Sequence, residues 1–120
     1  METFVVLADE QIPFQDEDAV SAVENYVKDT KPDVVMELGD LWDFPYLSTK
    51  FLRKNVSTGQ IFQDLMRGKT HLEKLREHCG ELIVVEGNHE NRLYRYILEK
   101  AEALEGLTDL DGPLTIPSLL

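Results

Sequence analysis

Three polar side chains follow a glycine without a spacer in the segment Gly87-Asn88-His89-Glu90. Two earlier segments, Asp9-Glu10-Gln11 and Gly39-Asp40-Leu41-Trp42-Asp43, carry similar groups. Carboxylates gathered in one crevice repel each other, and divalent cations relieve that repulsion. Carboxylate and amide oxygens with one imidazole nitrogen suit manganese, iron or zinc, and two such ions about 3.5–4 Å apart can share one carboxylate.

Each polar segment follows a short apolar run that is typical of a buried strand. These runs predict strands over residues 4–8, 33–38 and 82–85. The third run consists of Leu82-Ile83-Val84-Val85 and ends just before Gly87. All three runs are apolar on both faces, which is typical of strands in a sheet with both faces covered.

Helical periodicity follows each predicted strand. The first helix begins after Asp16, a good N-cap, and ends before Lys31-Pro32. The second covers roughly Ser57 to Cys79, where Gly80 predicts a glycine-terminated end, and a short helical piece precedes it near Leu47, Phe51 and Leu52. The third covers Asn91 to Leu104, and residues 107–120 are expected to be irregular.

The order β-α-β-α-β-α predicts an α/β fold with a parallel sheet layered with helices. Ligands of such sheets bind at the carboxyl ends of the strands. We therefore predict that the polar side chains of the three segments converge in one crevice. They are Asp9, Gln11, Asp40, Asp43, Asn88 and His89.

Taken singly, these residues have ordinary interpretations. Asp9 and Asp43 would be loop carboxylates, Gly87-Asn88 a tight turn, and Trp42 a core side chain. Two more histidines, His71 and His78, lie seven residues apart on the second helix. We interpret them as ordinary helix side chains, since no third ligand lies near them in the sequence.

The 120-residue chain is one domain with 23 acidic and 12 basic residues and a net charge of −11. This balance argues against a general nucleic-acid-binding surface and leaves nucleic acid only as a candidate substrate. The single cysteine excludes an internal disulfide and fits a reducing compartment. The sequence shows neither a signal peptide nor an apolar run of the roughly 20 residues needed to span a membrane. We expect a cytoplasmic protein without membrane partners.

The three segments resemble the motifs of the calcineurin-like metallophosphoesterase family. That family carries Asp-x-His, then Gly-Asp-x-x-Asp, then Gly-Asn-His-Asp/Glu, each after a strand. The last two match residues 39–43 and 87–90 in full. Asp9-x-Gln11, followed by Ile12-Pro13-Phe14, is similar to a phage and bacterial branch that carries glutamine there. The resemblance implies that residues 1–120 correspond to the first half of the family's β-sandwich, without its C-terminal half.

The resemblance also implies a dinuclear-metal site that hydrolyses a phosphoester. By position, Asp9 and Gln11 would bind the first ion, Asp40 would bridge both ions, and Asn88 would bind the second. His89 would be the general acid, protonating the leaving alcohol, and a bridging hydroxide would attack phosphorus. The residues implied to support His89 are Asp43 and Glu90.

Two departures from the family pattern limit this expectation. Gln11 stands where the family has a histidine, and an amide oxygen is a weaker ligand for these ions. No histidine follows His89, so the ligands that the family's second half supplies are lacking. We therefore expect this chain alone to bind at most one of the two ions.

The same departures leave alternatives open. The missing half or a second copy of the chain is expected to cover the apolar sheet face. One alternative is a truncated, inactive phosphoesterase-like domain that acts as a protein-binding or inhibitory module, and another is a plain structural domain. The natural substrate stays open among phosphomonoesters, cyclic nucleotides, nucleic acids and phosphoproteins.

Overall fold

A computed structural model describes residues 1–47 and 59–100 of the chain. The elements follow one another in the predicted alternation of strands and helices. In chain order they are β1 (Phe4–Leu7), α1 (Glu17–Thr30), β2 (Val34–Glu37), a 3₁₀ turn (Pro45–Leu47), α2 (Gln60–His78), β3 (Glu81–Val84) and α3 (Asn91–Lys100).

The three strands form one parallel sheet in the order β1-β2-β3. Val35 in the central strand lies opposite Val5 of β1 and Leu82 of β3. The predicted α/β fold with a parallel sheet is therefore confirmed. All three strands end at the same edge, which places the polar segments that follow them next to one another.

The first helix begins as predicted, because the Asp16 carboxylate accepts the backbone N–H groups of Asp18 and Ala19 at 3.0 and 3.1 Å. The end of α2 differs from the prediction. Cys79, directly after this helix, has an extended backbone, and no left-handed glycine terminates it. The short helical piece and the final irregular tail lie largely or wholly outside the described residues.

Helices α1 and α2 pack against each other and cover the same face of the sheet. Val27 of α1 and Leu75 of α2 are fully buried against Val35. Because side chains alternate along a strand, a different set lies on the opposite face. Four apolar side chains of that set are each about half exposed: Phe4, Val6, Leu38 and Val85. The expectation of cover on both faces is therefore not met by the described helices.

A second apolar cluster lies under the segment that follows β2. Its buried members are Ile12, Leu41, Trp42, Phe44, Leu72 and Leu93. The Trp42 ring stacks on Phe44 with 6.1 Å between ring centroids, and its Nε1 donates to the Asp64 carbonyl at 2.7 Å. Trp42 is thus a core side chain that anchors the loop between Asp40 and Asp43.

Gly68 lies where α2 crosses the Trp42 ring, and a Cβ atom at this position would overlap the indole. Alanine favours an isolated helix over glycine by about 1 kcal/mol, but overpacking a core costs typically about 1–3 kcal/mol. We expect Gly68→Ala to lower the free energy of unfolding by roughly 1–2 kcal/mol, measured by urea denaturation. Glu73→Ala, exposed on the same helix, is the control and is expected to stay within about 0.5 kcal/mol of wild type. A Gly68→Ala protein as stable as wild type would contradict the packing of α2 on Trp42.

Candidate active site

Backbone hydrogen bonds continue past the strands and hold the first two polar segments side by side. The N–H groups of Asp9 and Gln11 donate to the carbonyls of Gly39 and Asp40 at 3.2 and 3.0 Å. In return, the N–H of Asp43 donates to the Ile12 carbonyl at 2.9 Å. The two loops therefore form one unit, in which Asp9 and Gln11 are tied to Asp40 through the main chain.

Three of the predicted ligand residues have left-handed backbone conformations, with φ of 60° at Asp9, 54° at Gln11 and 55° at Asp40. Such conformations are uncommon for residues other than glycine and cost about 1–3 kcal/mol each. They persist where the surrounding structure holds them, and they concentrate at functional sites. The three together mark this edge of the sheet as a candidate site.

Two glycines let the third polar segment approach the second. A Cβ atom on Gly39 would lie 2.6 Å from the backbone nitrogen of Gly87, and one on Gly87 would overlap the Asp40 carboxylate. Both positions thus lack space for any side chain. The absence of a side chain at these two glycines allows the backbones to approach closely, which places Asn88 and His89 next to Asp40.

Asp40 lies at the centre of the candidate site. Its Oδ1 atom accepts the backbone N–H of His89 at 2.9 Å. The side-chain amide of Asn88 lies against this carboxylate, with its nitrogen placed to donate to Oδ2 and Oδ1 at 3.0 and 3.2 Å. Rotation of that amide would present its oxygen instead, so the pair can offer a carboxylate oxygen and an amide oxygen to a divalent cation.

His89 is held by Asp43 at the rim of the same crevice. Its Nδ1 atom lies 3.0 Å from Asp43 Oδ1 and 3.1 Å from the Asp43 carbonyl oxygen. Both oxygens accept only, so Nδ1 carries a proton and Nε2 is left for other partners. Arg92 donates to the same Asp43 carbonyl at 2.7 Å and steadies the pair.

Glu90 lies behind the motif and is almost fully buried. Its Oε1 atom accepts the backbone N–H of Leu41 at 3.0 Å, within the loop that joins Asp40 to Asp43. Burial raises the pKa of the Glu90 carboxyl above its usual value, and the hydrogen bond from Leu41 partly opposes that rise. Among the described residues, Glu90 makes no hydrogen bond to His89, so any support it gives acts through this loop.

The structure thus brings the predicted site residues to one edge of the sheet. The side chains of Asp9 and Asn88 are exposed, whereas Gln11, Asp40, Asp43 and His89 are half-buried. Sequence reasoning overlooked a neighbouring group formed by Glu10, Glu37 and His71. The available signal was a glutamate inside an otherwise apolar strand.

Known proteins show related sequences. A family model for calcineurin-like phosphoesterases matches residues 2–118. The chain belongs to the calcineurin-like phosphoesterase family. It is 38% identical over 121 residues to the Gene 54 protein of Mycobacterium phage L5, and 38% identical over 120 residues to that of Mycobacterium phage D29. Each match covers 90% of this chain but 47% of the relative, so the chain spans about half the length of these curated relatives. No solved structure matches it.

The matching family model is described as one of phosphoesterases. The parallel sheet with helices agrees with the N-terminal half of the family fold. Within residues 1–47 and 59–100, no helix is both long and apolar enough to cross a membrane.

Proposed function

We propose that this chain hydrolyses a phosphoester at a dinuclear-metal site, with His89 as the general acid. The metal ligands in this proposal are Asp9, Gln11, Asp40 and Asn88. The observation that carries it is the position of Asp40, whose carboxylate accepts the His89 N–H and lies against the Asn88 side-chain amide. One carboxylate thus connects the proposed metal ligands to the proposed acid.

The donor set fits divalent manganese, iron or zinc, since two carboxylates and two amide oxygens favour such ions. When bound, the ions would polarise the phosphoryl group and lower the pKa of bound water. Asp40 is the ligand proposed to contact both. With only these four ligands in this chain, at most one of the two ions is expected to bind here with appreciable affinity.

The chain's own residues position the proton for the leaving group. Asp43 accepts from Nδ1 of His89 and fixes the ring, so the acid in this proposal is the doubly protonated imidazolium, whose transferable proton is on Nε2. Arg92 holds the Asp43 backbone in turn. In this arrangement Nε2 protonates the leaving oxygen as the bond to phosphorus breaks, and Glu90 keeps the loop from Asp40 to Asp43 in place.

Metal dependence tests this function. The purified chain is freed of metal with a chelator, and hydrolysis of bis(p-nitrophenyl) phosphate is followed with and without added Mn²⁺. We expect turnover only with the ion. Asp29→Ala, at an exposed position near the end of α1, is the control and should behave as wild type. Equal turnover with and without metal would overturn the proposal.

A second candidate function is a binding or inhibitory module without turnover. The exposed apolar sheet face favours it. A folded chain that binds Mn²⁺ through Asp40 but hydrolyses none of the phosphoester classes would support this alternative over the enzyme.

We further propose that a second copy of the chain covers this sheet face in solution. Four side chains that are each about half exposed form an apolar patch, which is unusual for a monomer. We expect analytical ultracentrifugation to show a dimer that dissociates on dilution, and Val6→Asp to give a monomer. Tyr26→Asp, at an exposed position on α1, is the control and should still dimerise. A monomer at every concentration would contradict this association.

A further inference from the structure

A group of buried side chains lies between the sheet and the helices that cover it. Glu10 follows β1, Glu37 ends β2, and His71 lies in the middle of α2. Each offers one ligand atom, and the three atoms lie within 4.8 Å of one another. Glu37 is fully buried and His71 is 5% exposed, so solvent contributes little to satisfying them.

Within residues 1–47 and 59–100, several polar atoms of this group have no hydrogen-bond donor. Both carboxylate oxygens of Glu37, Oε2 of Glu10 and Nε2 of His71 are buried with no hydrogen-bond partner in this part of the chain. Nε2 of His71 lies 3.9 Å from Oε1 of Glu10, which is too long for a hydrogen bond. A buried polar atom without a partner costs about 1–3 kcal/mol, and more when it is charged.

Glu24 on α1 orients the imidazole of His71. Nδ1 of His71 lies 2.8 Å from Oε1 of Glu24, and Lys74 lies 3.3 Å from the other oxygen of that carboxylate. A carboxylate only accepts, so Nδ1 carries the proton and the lone pair of Nε2 is directed toward the group. Histidines that bind metals commonly donate their other ring N–H to a carboxylate in this way.

We propose that Glu10, Glu37 and His71 bind a divalent transition-metal ion such as zinc, at a site separate from Asp40 and Asn88. Two carboxylates and one imidazole make a three-ligand set of the kind that zinc accepts. An ion equidistant from three atoms 4.8 Å apart would lie about 2.8 Å from each, against about 2.1 Å in zinc sites. Each ligand atom therefore has to move by at most about 0.7 Å.

A cavity of about 200 Å³ adjoins two of the three proposed ligands. It lies between α1, α2 and the loop after β1 and is lined by Glu10, Glu24, His71 and Lys74, among other residues, but not by Glu37. Neither Asp40 nor His89 lines it. A bound ion would cross-link α2 to β2 and to the loop that carries Asp9. It would therefore stabilise the elements on which the candidate active site is built.

A proton shared between the carboxylates of Glu10 and Glu37 is the alternative to a metal ion, because it would also relieve their mutual repulsion. Burial, together with the neighbouring carboxylate of Glu10, raises the pKa of Glu37 to about 9. A protonated Glu37 would donate to Glu10 and leave Nε2 of His71 without a partner. The two alternatives therefore differ at His71, because a metal ion would bind its Nε2 atom and a shared proton would not.

The test uses the full chain carrying Asp40→Ala, which removes the bridging ligand of the proposed phosphoesterase site. We expect equilibrium dialysis to show one Zn²⁺ per chain, and thermal denaturation to show a higher Tm with zinc. Adding His71→Gln or Glu37→Gln should abolish both effects. His78→Gln, the other histidine of α2, is the matched control and should keep both. Zinc binding that is absent, or that survives His71→Gln, would overturn the proposal.

A measurement without substitutions covers the case in which the variants do not fold. The chain has three histidines, and nitrogen NMR of their rings reports which nitrogen receives a metal. We expect stoichiometric Zn²⁺ to shift the Nε2 resonance of His71 and to leave His78 unchanged. An unchanged His71 resonance would show that a proton occupies the group. Either result stands apart from phosphoester hydrolysis, which depends on Asp40.

Discussion

Replacing Asp40 by asparagine is expected to lower metal-dependent hydrolysis by about 10³-fold or more, since bound metal stabilises the transition state by several kcal/mol and each 1.36 kcal/mol is tenfold. The asparagine side chain has nearly the same shape, and its amide oxygen still accepts the backbone N–H of His89. The loss would therefore come from the charge that holds the metal and not from a collapsed loop.

The Asp40→Asn measurement is a comparison of kcat/KM for a phosphodiester at saturating Mn²⁺, with the Tm measured alongside. An unchanged Tm with lost turnover would assign the effect to the site. Asp33→Asn is the matched control, because the Asp33 carboxylate bonds Thr3 at the opposite end of the sheet. Asp40→Asn turnover within a few-fold of wild type would exclude Asp40 as a metal ligand.

His89→Ala is expected to slow hydrolysis of a phosphodiester with an alkyl leaving group by about 10²–10⁴-fold. The same variant should lose far less activity toward bis(p-nitrophenyl) phosphate, because p-nitrophenolate leaves without needing a proton. This contrast follows from the pairing of Nδ1 with Asp43, which leaves Nε2 as the proton donor.

Two further variants separate proton transfer from simple positioning. Asp43→Asn should show the same dependence on the leaving group in weaker form, since it disturbs the orientation of the His89 ring. His78→Ala is the histidine control and should match wild type on both substrates. Equal losses of His89→Ala on both substrates would contradict a general-acid role and would favour His89 as a binding residue.

The sequence predicted the strands and their order well, because an apolar run followed by polar residues has one simple interpretation in a β-α-β chain. The observed strands, Phe4–Leu7, Val34–Glu37 and Glu81–Val84, differ from the predicted bounds by at most one residue at each end. The juxtaposition of the three polar segments follows from the parallel order. Main-chain hydrogen bonds from Asp9 and Gln11 to the next loop then hold it in place.

The sequence could not show which face of the sheet each helix covers. Runs such as Phe4-Val5-Val6-Leu7 are apolar at every position, so alternation gives no signal for one covered and one exposed face. Phe62 and Met66 are apolar residues four positions apart in α2, yet they are exposed, at 66% and 42%. Periodicity identifies a helix, but it does not show which of its apolar residues have packing partners.

Glu37 and His71 were overlooked for a related reason. The run from Asp33 to Leu38 predicts a strand from its apolar residues, and that prediction gives no role to the glutamate within it. His71 was interpreted as an ordinary helix residue because no ligand lies near it in the sequence. Its neighbours Glu10 and Glu37 are 61 and 34 positions away along the chain and meet it only in the fold.

The contact between Asp40 and Asn88 gives the most direct test of the proposed metal site. Crystals grown with Mn²⁺ would be measured near the manganese absorption edge, and an anomalous difference map would locate the ion. The proposed site predicts a peak bound by carboxylate oxygen of Asp40 and by the amide oxygen of Asn88. A map without that peak, in which the Asn88 amide still donates its nitrogen to Asp40, would contradict it.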